Sequence, residues 1–314
     1  MTASEMIHVE RLKFSHPDIT ADGKARAQVA LTRLDTLWFC TGTLCNLACE
    51  HCYIESSPVN DRLTYLTREE VNAYLDEIVA LGLDTREVGL TGGEPFMNPD
   101  IIDILKSALA RGFEVLVLTN AMKPMMKVAE PLKQLNSTFA GRLTVRVSVD
   151  HYSLEKHEEE RGPKSWQPMI DGLRWLSDNN FNIHVAGRTC WGEDEASMRS
   201  GFAALFREHS ISVDAADPRA LVLFPEMSPD ADVPEITSDC WDILDRRPAD
   251  IMCASSRMVV KDKGADHPEV AACTLLPYEP EFRVGRTLAE ALDPVKLNHP
   301  HCARFCVLGG GSCA

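Results

Sequence analysis

Three cysteines crowd into eight residues of this 314-residue chain: Cys45, Cys49 and Cys52, in the run CNLACEHCY. The spacing is C-x3-C-x2-C, and an aromatic residue, Tyr53, follows the last sulfur. Three thiolates can hold three irons of a cubic [4Fe–4S] cluster and leave the fourth iron open to a small molecule, which makes such a site chemical rather than merely structural. A zinc tetrahedron would need a fourth ligand, Cys40 or His51, at a spacing that crowds it. Buried unligated thiols are the other alternative, and three so close together are too dense for it.

A second set of cysteines lies toward the other end. Cys253 precedes a predicted hairpin with strands RMVV and EVAA, and Cys273 closes it. A segment predicted to be helical, RTLAEALDPVKL, leads into CARFCVLGGGSC, which holds Cys302, Cys306 and Cys313. A hairpin and a helix that carry thiolates toward one point make a second metal site, with a structural zinc ribbon as the alternative. Cys240, on a predicted helix, reads as a packed thiol. Cys190 reads as a buried thiol, or as one lining the mouth of the fold.

The elements that must position these residues alternate. Near-continuous apolar runs at 36–41, 87–91, 114–120, 144–150, 182–189 and 220–224 predict parallel strands covered on both faces. Amphipathic helices separate them. Thr67 and Glu70 form a capping box before Val71, Leu75 and Ile78. Asn98 and Pro99 open the next helix, and another runs from Trp166 to Asn179. Six βα units predict an α/β fold: a partial (β/α)6 TIM-like barrel over residues 35–230, after an extension of residues 1–34. A small C-terminal α+β domain takes residues 231–314.

In such barrels chemistry collects where strands end. The first strand leads into the cysteine loop. The second ends in Gly92, Gly93, Glu94 and Pro95, where glycines let backbone approach a ligand and a carboxylate can accept hydrogen bonds from an ammonium group. The third ends in Thr119 and Asn120, the fourth in Ser148 and Asp150, the fifth in Arg188. Asn, Ser and Asp also cap helices and make turns. The acidic run Glu158–Glu160 reads as a solvated face.

The cysteine triplet, Tyr53, the GGEP turn and the strand order together resemble the radical S-adenosylmethionine (SAM) superfamily, over about residues 34–225. The resemblance implies that Cys45, Cys49 and Cys52 hold a [4Fe–4S] cluster whose open iron chelates SAM. It implies that Gly92 to Pro95 bind the methionine amine, and that Thr119, Asn120, Ser148 and Asp150 serve the ribose and carboxylate of SAM. Arg188 suits the carboxylate. The stretch HEEERGPKSW resembles the segment after the fourth strand in members with extra clusters. The C-terminal cysteine order resembles the SPASM or twitch extension. It implies one auxiliary [4Fe–4S] cluster on Cys253, Cys273, Cys302 and Cys306, with Cys313 free or replacing one of them.

The implied activity is reductive SAM cleavage and hydrogen abstraction from a peptide, protein or small molecule, fed by a low-potential donor such as flavodoxin or ferredoxin. The auxiliary cluster would assist a net oxidation or cross-linking. A non-enzymatic iron–sulfur electron carrier and a zinc-stabilised interaction protein are the competing readings. Relatives that modify peptides often carry an N-terminal winged-helix domain, for which the residues before the first strand are too few. A peptide substrate would then dock directly or through a separate protein. The net charge of −15 disfavours nucleic acid. With 11 cysteines in tight groups and no signal peptide or membrane-spanning run, the expected place is the reducing cytoplasm.

Overall fold

A computed structural model of the chain describes residues 12–225 and 232–311. After a short strand β1 (Gln28–Val29), the first barrel strand is β2 (Thr36–Cys40). Then follow α1 (Arg68–Ala80), β3 (Glu87–Thr91), α2 (Ile101–Ala110), β4 (Glu114–Thr119), α3 (Lys123–Lys127) and α4 (Ala129–Thr138). The barrel part ends with β5 (Leu143–Asp150), α5 (Leu154–Arg161), α6 (Trp166–Asp178), β6 (Asn182–Arg188), α7 (Glu195–Glu208) and β7 (Leu221–Phe224). From β2 to β7 every neighbouring pair is parallel and in sequence order. The six apolar runs thus become six parallel strands of a partial barrel.

Local chemistry explains the element ends. Thr67 and Glu70 cap α1 reciprocally. The α2 N-cap is Asp100 rather than Asn98. The Asn98 amide is drawn off to the carbonyls of Thr41 (3.3 Å) and Leu66 (2.9 Å), tying the helix start to the end of β2. Inside the barrel, Gly89 faces Trp38: a Cβ there would lie 2.3 Å from the indole, so β3 yields its volume to the ring.

The C-terminal quarter does not hang apart from this sheet. After α8 (Cys240–Leu244), β8 (Ser256–Val260) pairs parallel with β2. The expected hairpin is present as β8 and β9 (Glu269–Ala271), antiparallel, and β10 (Arg283–Gly285) completes a nine-stranded sheet. The helix expected over RTLAEALDPVKL is absent. Glu290–Leu292 form one 3-10 turn, and Asp293 before Pro294 is extended, because proline excludes the helical region for its predecessor. β11 (Val295–Lys296) then pairs antiparallel with β1. Cys302–Leu308 close the described chain as a π-helical turn. Residues 12–34 are fixed to this quarter as well: the Arg26 guanidinium meets Glu235 at 2.5 Å, both side chains buried.

Candidate active site

The C-terminal ends of β2 to β6 and the C-terminal quarter enclose one cavity of about 520 Å³. Cys45, Cys49 and Cys52, with Tyr53, line one side. Gly92, Gly93, Pro95, Thr119 and Asn120 line the next, and Ser148, Asp150 and Arg188 continue the ring. The opposite wall is a segment that the sequence did not mark: Thr274 to Glu279, with His299, His301 and Phe305.

The cysteine loop is built against β3's end. The Gly93 N–H donates to the Gly42 carbonyl (2.8 Å) and the Glu94 N–H to Leu44 (3.1 Å). A Cβ on Gly93 would lie 2.3 Å from the Leu44 carbonyl oxygen, and one on Gly92, at φ +133°, 2.4 Å from that of Gly42. The glycines are therefore required by the cysteine loop itself, in addition to leaving backbone open to the cavity.

Cys45 is 6% exposed and accepts the Leu47 N–H at 3.4 Å, with the Asn120 amide nitrogen 3.9 Å away. Cys52 accepts the Ser56 N–H at 3.3 Å. Burial pushes the Cys45 thiol up to about 12 and raises Cys49 as well, with neighbouring acids and thiols adding to it. All three thiols line the cavity, and holding them deprotonated there takes a cation, which is what a metal centre supplies. Donor set, burial and glycine turn all fit an iron–sulfur cluster.

Two acidic residues do not behave as the sequence suggests. The Glu94 carboxylate does not line the cavity. It is buried under β4's end, accepting from the Thr119 hydroxyl (2.9 Å), the Asn120 N–H (2.9 Å) and the Phe96 N–H (3.1 Å). Burial lifts it to about 7, against those three donors. It shapes the turn, and Gly92 and Gly93 are left lining the cavity.

Glu160, expected on a solvated face, is 4% exposed. Its carboxylate accepts the His51 N–H (3.0 Å) and faces His51 Nδ1 (2.8 Å) and the Arg188 guanidinium (2.6 Å). Its carbonyl accepts the Glu50 N–H (2.8 Å). Both residues between Cys49 and Cys52 are thus held by one side of α5. A three-residue acidic run hides this, because helical placement decides which member turns inward. Arg188 lines the cavity already ion-paired. Asp150, at φ +60°, is paired with Arg161 at 2.5 Å.

The second cysteine set is brought together in part. Cys253 and Cys302 are buried, and Cys273 is half-buried. Burial drives the Cys302 thiol well up, and charge on Cys273 and Cys253 would add to that rise. Cys306 sits on the π-helical turn one helical step beyond Cys302. Cys313 lies outside the described residues. Cys240 is half-buried, its sulfur accepting the Thr237 N–H, and Cys190, also half-buried, does not line the cavity. Among the described residues no three His, Cys, Asp or Glu side chains converge on a single ion.

Tyr278 connects the two sets. Its hydroxyl donates to the Ile54 carbonyl (2.7 Å), two residues after Cys52, and the Arg62 guanidinium lies 3.6 Å above its ring. No local pattern signals this, since the partners are more than 200 residues apart.

Residues 40–195 match the model of the radical SAM superfamily. The chain belongs to that superfamily, whose members bind a [4Fe–4S] cluster and SAM. It is 34% identical over 143 residues to AlbA, the antilisterial bacteriocin subtilosin biosynthesis protein of Bacillus subtilis, covering 45% of this chain and 30% of AlbA. It is 28% identical over 145 residues to the AdoMet-dependent heme synthase of Methanosarcina barkeri, covering 45% of this chain and 38% of that protein. The chain thus spans less than half the length of these relatives. Its fold resembles that of Streptococcus suis SuiB bound to the precursor peptide SuiA, with a TM-score of 0.58, 12% identity, and coverage of 84% of this chain and 66% of SuiB. No described helix is long and apolar enough to cross a membrane.

Proposed function

We propose that this chain is a radical SAM enzyme acting on a peptide. Cys45, Cys49 and Cys52 hold its cluster, and Cys253, Cys273, Cys302 and Cys306 hold an auxiliary one. The observation that carries this reading is the single cavity shared by the cysteine triplet, the Gly92–Gly93 backbone and the C-terminal wall. A carrier of electrons needs no such cavity beside its cluster.

The chemistry such a cluster supplies is one-electron cleavage of bound SAM, giving an adenosyl radical that takes hydrogen from an unactivated C–H bond. The chain's own residues do the rest. Gly92 and Gly93 present backbone to the methionine amine. Thr119 and Asn120 close the side of that pocket, and Ser148 and Asp150 offer oxygens to the ribose. Trp38, Leu118, Leu275, Leu276 and Phe305 make the deeper walls apolar, which keeps water away from a radical. A flavodoxin or ferredoxin is the electron donor in this reading.

The likeness to AlbA, a bacteriocin biosynthesis protein, favours a peptide substrate. The likeness to a heme synthase keeps a small molecule as the second reading. The domain division at residues 34 and 230 belongs to the same proposal. Anaerobic reconstitution tests it. The protein should take up about eight irons, four per cluster, and release 5′-deoxyadenosine from SAM when reduced. Replacing Cys45, Cys49 and Cys52 with Ala should abolish the release and halve the iron. Release that survives the triple replacement rejects the assignment.

A further inference from the structure

Cleaving SAM consumes an electron, and that electron must cross the protein from a carrier outside it. The first cysteine site faces inward: Cys45 is 6% exposed. A short path of contacts leads from it to the surface. The Cys45 sulfur lies 3.9 Å from the Asn120 amide nitrogen, which donates to Asn46 Oδ1 (2.9 Å). The Asn46 amide nitrogen lies 3.8 Å from Met122 Sδ, and the Met122 N–H donates to Asn120 Oδ1 (3.1 Å). Met122 is the N-cap of α3. Asn46 and Asn120 thus bridge the sulfur to the start of that helix, and electron tunnelling falls steeply with distance.

The charge of α3 is unusual for this chain. No acidic residue occurs between Asn120 and Glu130, and the run KPMMK sets Lys123 and Lys127 four apart on one face, with Met126 beside them. All three are exposed, whereas Pro124 and Met125 are buried. Lys156, Lys261, Lys263 and Lys296 are ion-paired. Among the described residues Lys123 and Lys127 have no such partner. The chain as a whole carries −15, so most of its surface repels an acidic protein. Glu50, the exposed acid of the cysteine loop, lines the cavity.

We propose that Lys123, Met126 and Lys127 form the docking surface of a flavodoxin, which passes its electron to the first cysteine site through Asn120 and Asn46. A flavodoxin is acidic, and the exposed dimethylbenzene edge of its flavin is apolar. The lysine pair complements the first property and Met126 the second. In the step the flavin hydroquinone anion gives up one electron and becomes the neutral semiquinone, and the cluster goes from its 2+ to its 1+ state. No bond forms or breaks. The inference rests on the radical SAM activity proposed above and adds the face by which the electron enters.

The test uses the reconstituted full chain. Flavodoxin affinity is measured by calorimetry. Release of 5′-deoxyadenosine from SAM is measured with flavodoxin hydroquinone and, separately, with photoreduced deazaflavin, a small reductant that needs no docking. Lys123→Glu with Lys127→Glu should weaken binding and slow flavodoxin-driven release about tenfold at low salt, and leave deazaflavin-driven release unchanged. The parent's flavodoxin-driven rate should fall as salt rises, and the variant's should not. Lys123→Arg with Lys127→Arg should match the parent. Lys24→Glu with Lys106→Glu makes the same change in net charge elsewhere on the surface and should leave both readouts as in the parent. An equal loss in that control, or no loss in the α3 variant, overturns the proposal. A parent that deazaflavin drives and flavodoxin does not overturns it too, including the case in which a ferredoxin serves instead. Should the α3 variant also slow with deazaflavin, the calorimetric affinity decides alone. If neither reductant yields 5′-deoxyadenosine from the parent, the proposed activity itself falls, and the inference with it.

Discussion

At the scale of single residues, two carboxyl groups set the shape of the site without lining up as ligands. Glu160 fills its lone pairs with His51 and Arg188 and holds the interval between Cys49 and Cys52. Preorganising that interval lowers the ordering cost of assembling a centre on it. In metal-free protein, Glu160→Ala should therefore raise the iodoacetamide labelling rate of Cys49 and Cys52 by about tenfold, as local opening becomes easier. Glu155→Gln, on the exposed face of the same helix, should leave the rate unchanged. Glu94 gives a pH signature. Its carboxyl titrates near 7 in the fold against 4.5 ordinarily, because it is buried. Between those values the native state keeps a proton that the unfolded chain has released. Stability from this group therefore rises as pH falls from 7 to 4.5 and is lost as pH rises, by up to about 3 kcal/mol. His299, pushed down to about 4 by burial and His301, works in the opposite sense, destabilising the fold as pH falls from 6.5. Urea melts of metal-free wild type and Glu94→Gln at several pH values separate the two. The difference between the proteins should carry the Glu94 slope, and a pH-independent difference would contradict the assignment.

At the scale of elements, the sequence carried most of the barrel because its signals are local. The run EVGLT is β3 to the residue, and Thr67 with Glu70 caps α1 as their spacing requires. The cysteine triplet and GGEP turn were legible for the same reason. What failed was non-local. RTLAEALDPVKL has helical composition, but Pro294 interrupts it and β1 offers Val295 and Lys296 a strand partner. Glu160 was misplaced because charge patterning does not say which face of a short helix is covered. The wall from Thr274 to Glu279 carries no motif at all. It becomes functional only because β8 docks on β2. The contact between the β3 turn and the cysteine loop is the element-scale feature most open to test. Gly93→Ala forces its new methyl into the Leu44 carbonyl. Backbone cannot move aside as a flexible side chain does, so the loop must shift. A loss of about 1–3 kcal/mol in urea stability is expected, together with loss of iron from the first site and retention at the second. Full loading of both would show that the loop tolerates the displacement.

At the scale of the whole molecule, the two cysteine sets are parts of one body. β8 lies against β2, the strand that feeds the first cysteine loop, with Leu37, Trp38 and Phe39 each at 0% exposure between β3 and β8. Tyr278 clasps the loop after Cys52, and Arg26 and β1 are tied to the C-terminal quarter through Glu235 and β11. A chain ending at residue 231 would therefore lose more than a second metal site. β2 would become an exposed, apolar edge strand, the kind that pairs with other chains. The cavity would lose its wall from Thr274 to Phe305, and β1 its partner. Such a chain should unfold without a cooperative transition or aggregate, as seen by circular dichroism and sedimentation, even with the first cluster reconstituted. Tyr278→Phe is the gentler probe of the same coupling. It removes the hydrogen bond to Ile54 and keeps the ring under Arg62, so overall stability should fall by only about 1 kcal/mol. The labelling rate of Cys52 in metal-free protein should rise while that of Cys302 stays unchanged. A truncated chain that melts cooperatively at the full-length temperature would instead make the C-terminal quarter an independent appendage, and the shared wall of the cavity would lose its structural basis.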